Sequence, residues 1–173
     1  MTVLFRAADL TAERVADADV ECLQPLLARC EDYHQLVYGR PATEDEARRM
    51  PSERPPGLTP DQPHLLALCA MHGGKVGVLE GLRDYPSPGE WYLGLLLLVP
   101  EVRGQGRGEA VLRAYVDWVR AEGGRLLRLA AVEQNEAGRR FWARMGFQDE
   151  KWVGPLEQGL RMNRLVRMTM TLG

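Results

Sequence analysis

The spacing of apolar and polar residues divides the chain into alternating strand and helix segments. Val3–Ala7 is a short strand candidate. Between Asp17 and about Val37, the residues Val20, Leu23, Leu26 and Leu27 fall on one face of a helix, and Pro25 inside that stretch bends or divides it. Thr43-Glu44-Asp45-Glu46 has the form of a capping box ahead of a short helix that stops near Met50. Residues 51–63 are rich in proline and read as a loop, long enough for a compact domain to suggest a role in lining a site.

The middle of the chain reads as strands. His64–His72 is apolar, Gly73-Gly74 makes a hairpin turn, and Lys75 to about Tyr85 returns. After a turn at Pro86–Gly89 comes Trp91-Tyr-Leu-Gly-Leu-Leu-Leu-Leu-Val99, a continuous apolar run suited to a strand covered on both faces, which Pro100 stops. These three strands are expected to be antiparallel neighbours. Val111, Leu112, Tyr115, Trp118 and Val119 then recur at helical spacing, and Gly123-Gly124 ends that helix. Leu126–Val132 is a further strand. Asn135–Met145 is a helix with Ala137, Phe141 and Met145 on one face, capped by Gly146. Phe147 to about Val153 and Asn163–Leu172 close the sheet. The pattern predicts an α+β fold: a single mixed, mostly antiparallel sheet with helices on both faces.

Composition narrows the function classes. At 173 residues, 45% hydrophobic and 27% charged, the chain suits one domain with a sizeable core. A net charge of −2 supplies no long-range attraction to nucleic acid. Cys22, Cys30 and Cys69 form no CxxC pair, and His34, His64 and His72 have no ligand spacing, so no metal is expected. No signal-peptide pattern opens the sequence, and no apolar run approaches the ~18 residues of a membrane span. The expectation is a cytoplasmic protein without a membrane or nucleic-acid partner.

The chemistry concentrates at Arg103-Gly-Gln-Gly-Arg-Gly108, between the long apolar strand and the helix that follows. Gly104, Gly106 and Gly108 let the backbone turn with several N–H groups facing one way, and the helix adds the positive end of its dipole. Such a loop binds a phosphate or diphosphate. It is not a nucleoside-triphosphate P-loop, since Glu109-Ala110 follow where lysine and a hydroxyl residue are needed. Its glycine spacing also differs from Gly-x-Gly-x-x-Gly.

Two motifs together resemble the GNAT (GCN5-related N-acetyltransferase) family. Arg103, Gly106 and Gly108 match its cofactor loop, Arg/Gln-x-x-Gly-x-Gly/Ala, and Val99-Pro100 resembles the end of its fourth strand. Asn135, Phe141, Gly146 and Phe147 match its second signature. The likeness is strong over Trp91–Phe147, and residues 12–63 match only as a variable helical region. It implies a single acyl-CoA N-acyltransferase domain over residues 1–173, with a cofactor-binding core at 91–147 and an acceptor-side region at 12–63.

The resemblance further implies acetyl-coenzyme A as acyl donor, held in a V-shaped cleft between the family's fourth and fifth strands. The backbone of Leu97, Leu98 and Val99 would hold the pantetheine arm, and the Leu98 N–H would polarise the thioester carbonyl. The amides of Gly104, Gln105, Gly106, Arg107 and Gly108 would hold the diphosphate, with charge from Arg103 and Arg107, and Asn135 would reach the arm. Trp142 stands where the family has a tyrosine that protonates the departing thiolate; an indole N–H donates a hydrogen bond but delivers no proton. For the base that deprotonates the amine, Glu90, Glu101 and His34 are candidates. The implied activity is direct acetyl transfer to a primary amine of a small molecule or peptide, by a monomer or homodimer. A non-catalytic acyl-coenzyme A-binding module and a transferase of a different acyl group stay open as alternatives.

Overall fold

A computed structural model describes residues 2–173. Eight strands form one sheet: β1 (Val3–Ala7), β2 (Leu10–Arg14), β3 (Pro63–Ala70), β4 (Lys75–Leu82), β5 (Glu90–Leu98), β6 (Leu126–Val132), β7 (Gln148–Gln158) and β8 (Arg161–Thr171). Their order is β1-β2-β3-β4-β5-β6-β8-β7. Every neighbouring pair is antiparallel except β5 and β6, which run parallel. The helices are α1 (Gln24–Arg29), α2 (Glu31–Tyr38), α3 (Glu46–Arg49), α4 (Arg107–Ala121) and α5 (Glu136–Arg144).

The predicted mixed sheet is therefore present, with β3, β4 and β5 as consecutive antiparallel neighbours. Strand alternation sends successive side chains to opposite faces. Leu66, Leu68, Trp91 and Leu93 pack with Val111, Leu112, Tyr115 and Val119 of α4 on one face. Leu65, Ala67, Val78, Leu97 and Val99 pack with Leu26 and Leu27 of α1 on the other. Full burial of one such leucine contributes about 1.5–3 kcal/mol.

Several local expectations need correction. Strand β2 is missing from the sequence reading; its turn is made by Ala8 at φ 52°, where no glycine or asparagine marks it. The stretch from Asp17 is three pieces. A 3-10 turn at Asp17–Leu23 leads into α1, with Pro25 in the first turn of α1, where a missing N–H costs no helical bond. The break falls at Cys30 (φ −97°, ψ 45°) and not at the proline. Glu46 does reach back to the Thr43 N–H at 2.9 Å, as a capping box requires, but helical turns continue through Glu53. Strand β7 runs past Gly154-Pro155 to Gln158, tolerated because it is an edge strand with a register shift there.

One buried polar pair braces the centre. His64 on β3 lies 2.7 Å from the Tyr115 hydroxyl of α4. Both contact the backbone of Gly81 so closely that a Cβ there would sit 2.4 Å from His64 Nε2. Burial holds the His64 imidazole neutral, its pKa lowered from 6.5 to about 3. The unfolded chain thus binds a proton that the folded chain refuses between those values. That stability is present above pH 6.5 and is lost as pH falls toward 3, at up to about 1.4 kcal/mol per pH unit. Denaturant unfolding across this window is expected to show a shallower pH slope for His64→Gln than for the parent. Equal slopes would contradict the assignment.

Candidate active site

The site begins with lost pairing. Strand β5 matches β6 only at Glu90, Trp91 and Tyr92, opposite Leu126, Leu127 and Arg128. On its other side β5 stays paired to β4 up to Leu98, with a bulge: Glu80 faces Leu95 and Gly81 faces Leu93, so Gly94 has no partner of its own. Beyond Tyr92 the two parallel strands part. The gap between them is a cavity of about 700 Å³, lined by β5 residues 92–98, β6 residues 129–132, and Asn135, Phe141 and Trp142 of the α5 region.

The exposed backbone edge of β5 follows from the register. The Val99 N–H donates to the Val76 carbonyl at 2.9 Å, so Val99 is turned toward β4. Alternation along an antiparallel pair turns Leu97 the same way and leaves Leu96 and Leu98 facing the gap. Of the sequence candidates for backbone contacts, Leu98 therefore presents its N–H to the cleft. Leu97 and Val99 present theirs to β4. The Leu98 carbonyl is occupied: it accepts from Arg103 Nε at 2.7 Å and lies 3.7 Å from the Cys30 thiol.

The glycine loop closes one end of the gap. Gly104 (φ 75°) and Gly106 (φ 77°) adopt left-handed conformations, and a Cβ at either would meet open space. It is the backbone angle, not crowding, that demands glycine here. Gly106 is the N-cap of α4, and no side chain caps that helix. Its first-turn amides are thus available to an anion. The two arginines of the loop are already engaged. Arg103 makes a bidentate pair with Asp32 of α2, and Arg107 pairs with Asp9 at 2.8 Å. Hydrogen bonding to Arg103 holds the Asp32 carboxyl below its usual range. Any anion at the loop thus meets main-chain donors before free guanidinium charge.

A second cavity, about 860 Å³, opens beside the first. Tyr33, Tyr38, Tyr92, Gly94 and Leu95 line both, so the two meet at the β5 bulge. Its walls bring together His34 and Glu46 of the helical region, Glu53 and Arg54, and Glu80 of β4. His34, one of the base candidates, is buried at 2% exposure; its Nδ1 is 3.0 Å from the Cys30 carbonyl and its Nε2 3.9 Å from Glu46. The two other base candidates lie outside both cavities. Glu90 pairs with Arg128 at 3.1 Å at the closed end of the β5–β6 pair, and the exposed Glu101 pairs with Arg29 at 3.3 Å.

The sequence reading missed Glu80. It sits opposite Leu95, at the bulge, and burial pushes its carboxyl above the usual range against the pull of Arg54 at 2.9 Å. No motif marks it; only the β4–β5 register does. Tyr92 was missed for the same reason. Trp142 lines the first cavity and stands edge-on to Phe141 at 4.9 Å and to Phe147 at 5.7 Å. Asn135 caps α5, its Oδ1 accepting from Gly138 at 3.0 Å, and also lines the first cavity. Among the described residues no cluster of His, Cys, Asp and Glu is arranged to hold a metal ion, and no helix is long and apolar enough to cross a membrane.

The parted strands, the uncapped glycine loop and the second signature belong to one family. The model of the acetyltransferase (GNAT) family matches residues 27–147, and the chain belongs to that family. Solved structures share the fold. A probable GNAT-family acetyltransferase from Chromobacterium violaceum aligns at TM-score 0.77 and 19% identity over 100% of this chain and 93% of that one. An acetyl transferase from Salmonella typhimurium, which modifies the N-terminal serine of 50S ribosomal subunit protein L7/L12, aligns at 0.76 and 16% over 95% and 96%. A chimera of the spermidine N-acetyltransferase SpeG from Vibrio cholerae and hSSAT aligns at 0.71 and 14% over 95% and 96%. Among curated protein sequences none matches this chain.

Proposed function

We propose that the protein transfers an acetyl group from acetyl-coenzyme A to a primary amine, directly, with both substrates bound. The observation that carries this reading is the meeting of two cavities at the β5 bulge: one fits a long donor, the other an acceptor. The donor cavity suits coenzyme A in three respects. The amides of Gly104 to Gly108 and the α4 dipole would hold the diphosphate. The unpaired β5 edge at Leu96 and Leu98 would pair with the peptide-like arm, as an added strand does. Asn135, Phe141 and Trp142 would line the far side.

The thioester then lies at the junction, close to Gly94 and Leu95. The Leu96 N–H is the nearer donor for the carbonyl oxygen and the Leu98 N–H serves the arm, a shift of one contact from the sequence expectation. The chemical step needs a neutral amine, because an alkylammonium has no lone pair to attack with. Glu80 is the best-placed base. The amine nitrogen forms a bond to the carbonyl carbon, the C–S bond breaks, and its electron pair leaves as thiolate. The amine's proton passes to Glu80, directly or through water, and the thiolate takes a proton from solvent or from a junction tyrosine. Tyr33 and Tyr92 supply hydroxyls there, which Trp142 does not. A protein that binds coenzyme A but never turns over is the second reading, favoured by the tryptophan at the tyrosine position.

Two substitutions test this. Gly106→Glu places a carboxylate at the anion site and a side chain at φ 77°. Calorimetry should show coenzyme A affinity falling more than about 100-fold, roughly 2.7 kcal/mol, with the fold retained by circular dichroism. Unchanged affinity would refute the loop assignment. A deprotonated Glu80 is required, so kcat should fall as pH drops through its raised pKa. Glu80→Gln should lower kcat by about 10²–10⁴ and remove that acidic limb, and Glu80→Asp should restore part of it. A wild-type pH profile in Glu80→Gln would exclude Glu80 as the base.

A further inference from the structure

The acceptor cavity carries carboxylates at one end and cations at the other. Near the junction stands Glu80, with Glu46 and Glu53 on the same side, each beside an arginine: Glu80 with Arg54, Glu46 with Arg40 and Arg49, and Glu53 with Arg49. At the opposite end the lining changes sign: Arg128 of β6, Arg167 of β8 and Lys151 of β7 face the same space. Arg128 is neutralised, held by Glu90 at 3.1 Å and by Glu150. Glu150 is the one carboxylate at this end of the lining, and Arg128 occupies it. Arg167 and Lys151 make no ion pair among the described residues.

Arg167 and Lys151 are moreover direct cross-strand partners in the β7–β8 register. Like charges placed directly opposite each other destabilise a sheet. Of the four cations that line this cavity, Arg54 and Arg128 are held by carboxylates and Arg167 and Lys151 are not, and Asp149 and Glu157 stand on the same strand as Lys151 without pairing to either cation. An unneutralised cation pair lining a cavity is the arrangement that receives an anionic group of a ligand.

We propose that the acceptor is an amino-carboxylate, its amine at Glu80 and the β5 bulge and its carboxylate between Arg167 and Lys151. This rests on the N-acyltransferase reading above and names the substrate class for it. The separation of the two ends sets the spacing. From β5 to β8 is two strand intervals, at least about 10 Å between backbones, since neighbours lie ~4.8 Å apart. The side chains of Glu80, Arg167 and Lys151 reach in from both ends and shorten that span. A ligand whose amine and carboxylate are several bonds apart, an ω-amino acid or the side-chain amine of an amino acid, bridges it more readily than an α-amino group and its own carboxylate.

The test uses three probes: 6-aminohexanoate, hexylamine, which lacks the carboxylate, and hexanoate, which lacks the amine. With acetyl-coenzyme A, kcat/KM for 6-aminohexanoate should exceed that for hexylamine by at least tenfold. Arg167→Ala and Lys151→Ala should each reduce that preference several-fold, chiefly through KM. Arg164→Ala, which removes a cation of β8 outside the cavity, should leave the preference intact. Equal use of the two amines by the parent, or an unchanged preference in Arg167→Ala, would overturn the proposal. Calorimetry separates its failure from failure of the transferase reading. Hexanoate should bind the coenzyme A-loaded protein competitively with 6-aminohexanoate and lose affinity in Arg167→Ala. No turnover of either amine with hexanoate binding intact overturns the transferase reading alone, and absence of hexanoate binding overturns the anion site.

Discussion

The structure depends on one interruption of hydrogen bonding. After three paired residues, β5 and β6 stop being neighbours, and a strand from the middle of the sheet is left with a bare edge. Unpaired buried backbone groups each cost about 1–3 kcal/mol, so a sheet does not open at its centre without compensation. Here the compensation is partly internal. The Leu98 carbonyl is taken by Arg103, and the bulge at Gly94 bends β5 away while its pairing with β4 continues. What stays open is a short row of donors and acceptors at the depth of a cleft, which a ligand with an amide backbone of its own can complete.

The same region ties the two cavities into one unit. Arg103 joins the end of β5 to Asp32 of α2, and α2 supplies Tyr33, His34 and Tyr38 to the wall of the second cavity. The glycine loop and the wall of the second cavity are therefore fastened to each other through a single guanidinium. Arg107 does the equivalent at the loop's other end, bonding to Asp9 in the turn between β1 and β2. The arginines thus shape the loop, and its free donors are main-chain amides at the positive end of the helix dipole. Glycine is needed at Gly104 and Gly106 for their positive φ, which turns those amides, even though nothing crowds them.

Much of this was legible in the sequence, for identifiable reasons. The glycine loop and the apolar strand before it are local features, and local features survive without knowledge of the fold. So are the helical face of Val111, Leu112 and Tyr115, and the asparagine that caps α5. What could not be read depends on register or on partners distant in sequence. Glu80 becomes a candidate only because the bulge sets it opposite Leu95, and a search for an acid along β5 itself passes it by. Which backbone edge Leu97 and Leu98 present is likewise a property of the β4 pairing. His34 looked solitary until α2 was folded against Glu46. The break at Cys30 and the strand β2 lack any glycine, proline or asparagine signal, and the Gly154-Pro155 step that reads as a strand end is absorbed by an edge bulge.

The most direct measurement is residue-resolved amide hydrogen exchange with and without coenzyme A. If the open edge and the glycine loop together form the donor site, saturation should slow exchange at Leu96, Leu98 and the amides from Gly104 to Glu109, and leave Leu97 and Val99, already bonded toward β4, little changed. Tight binding of coenzyme A with those amides exchanging as before, or protection confined to another part of the molecule, would contradict the account.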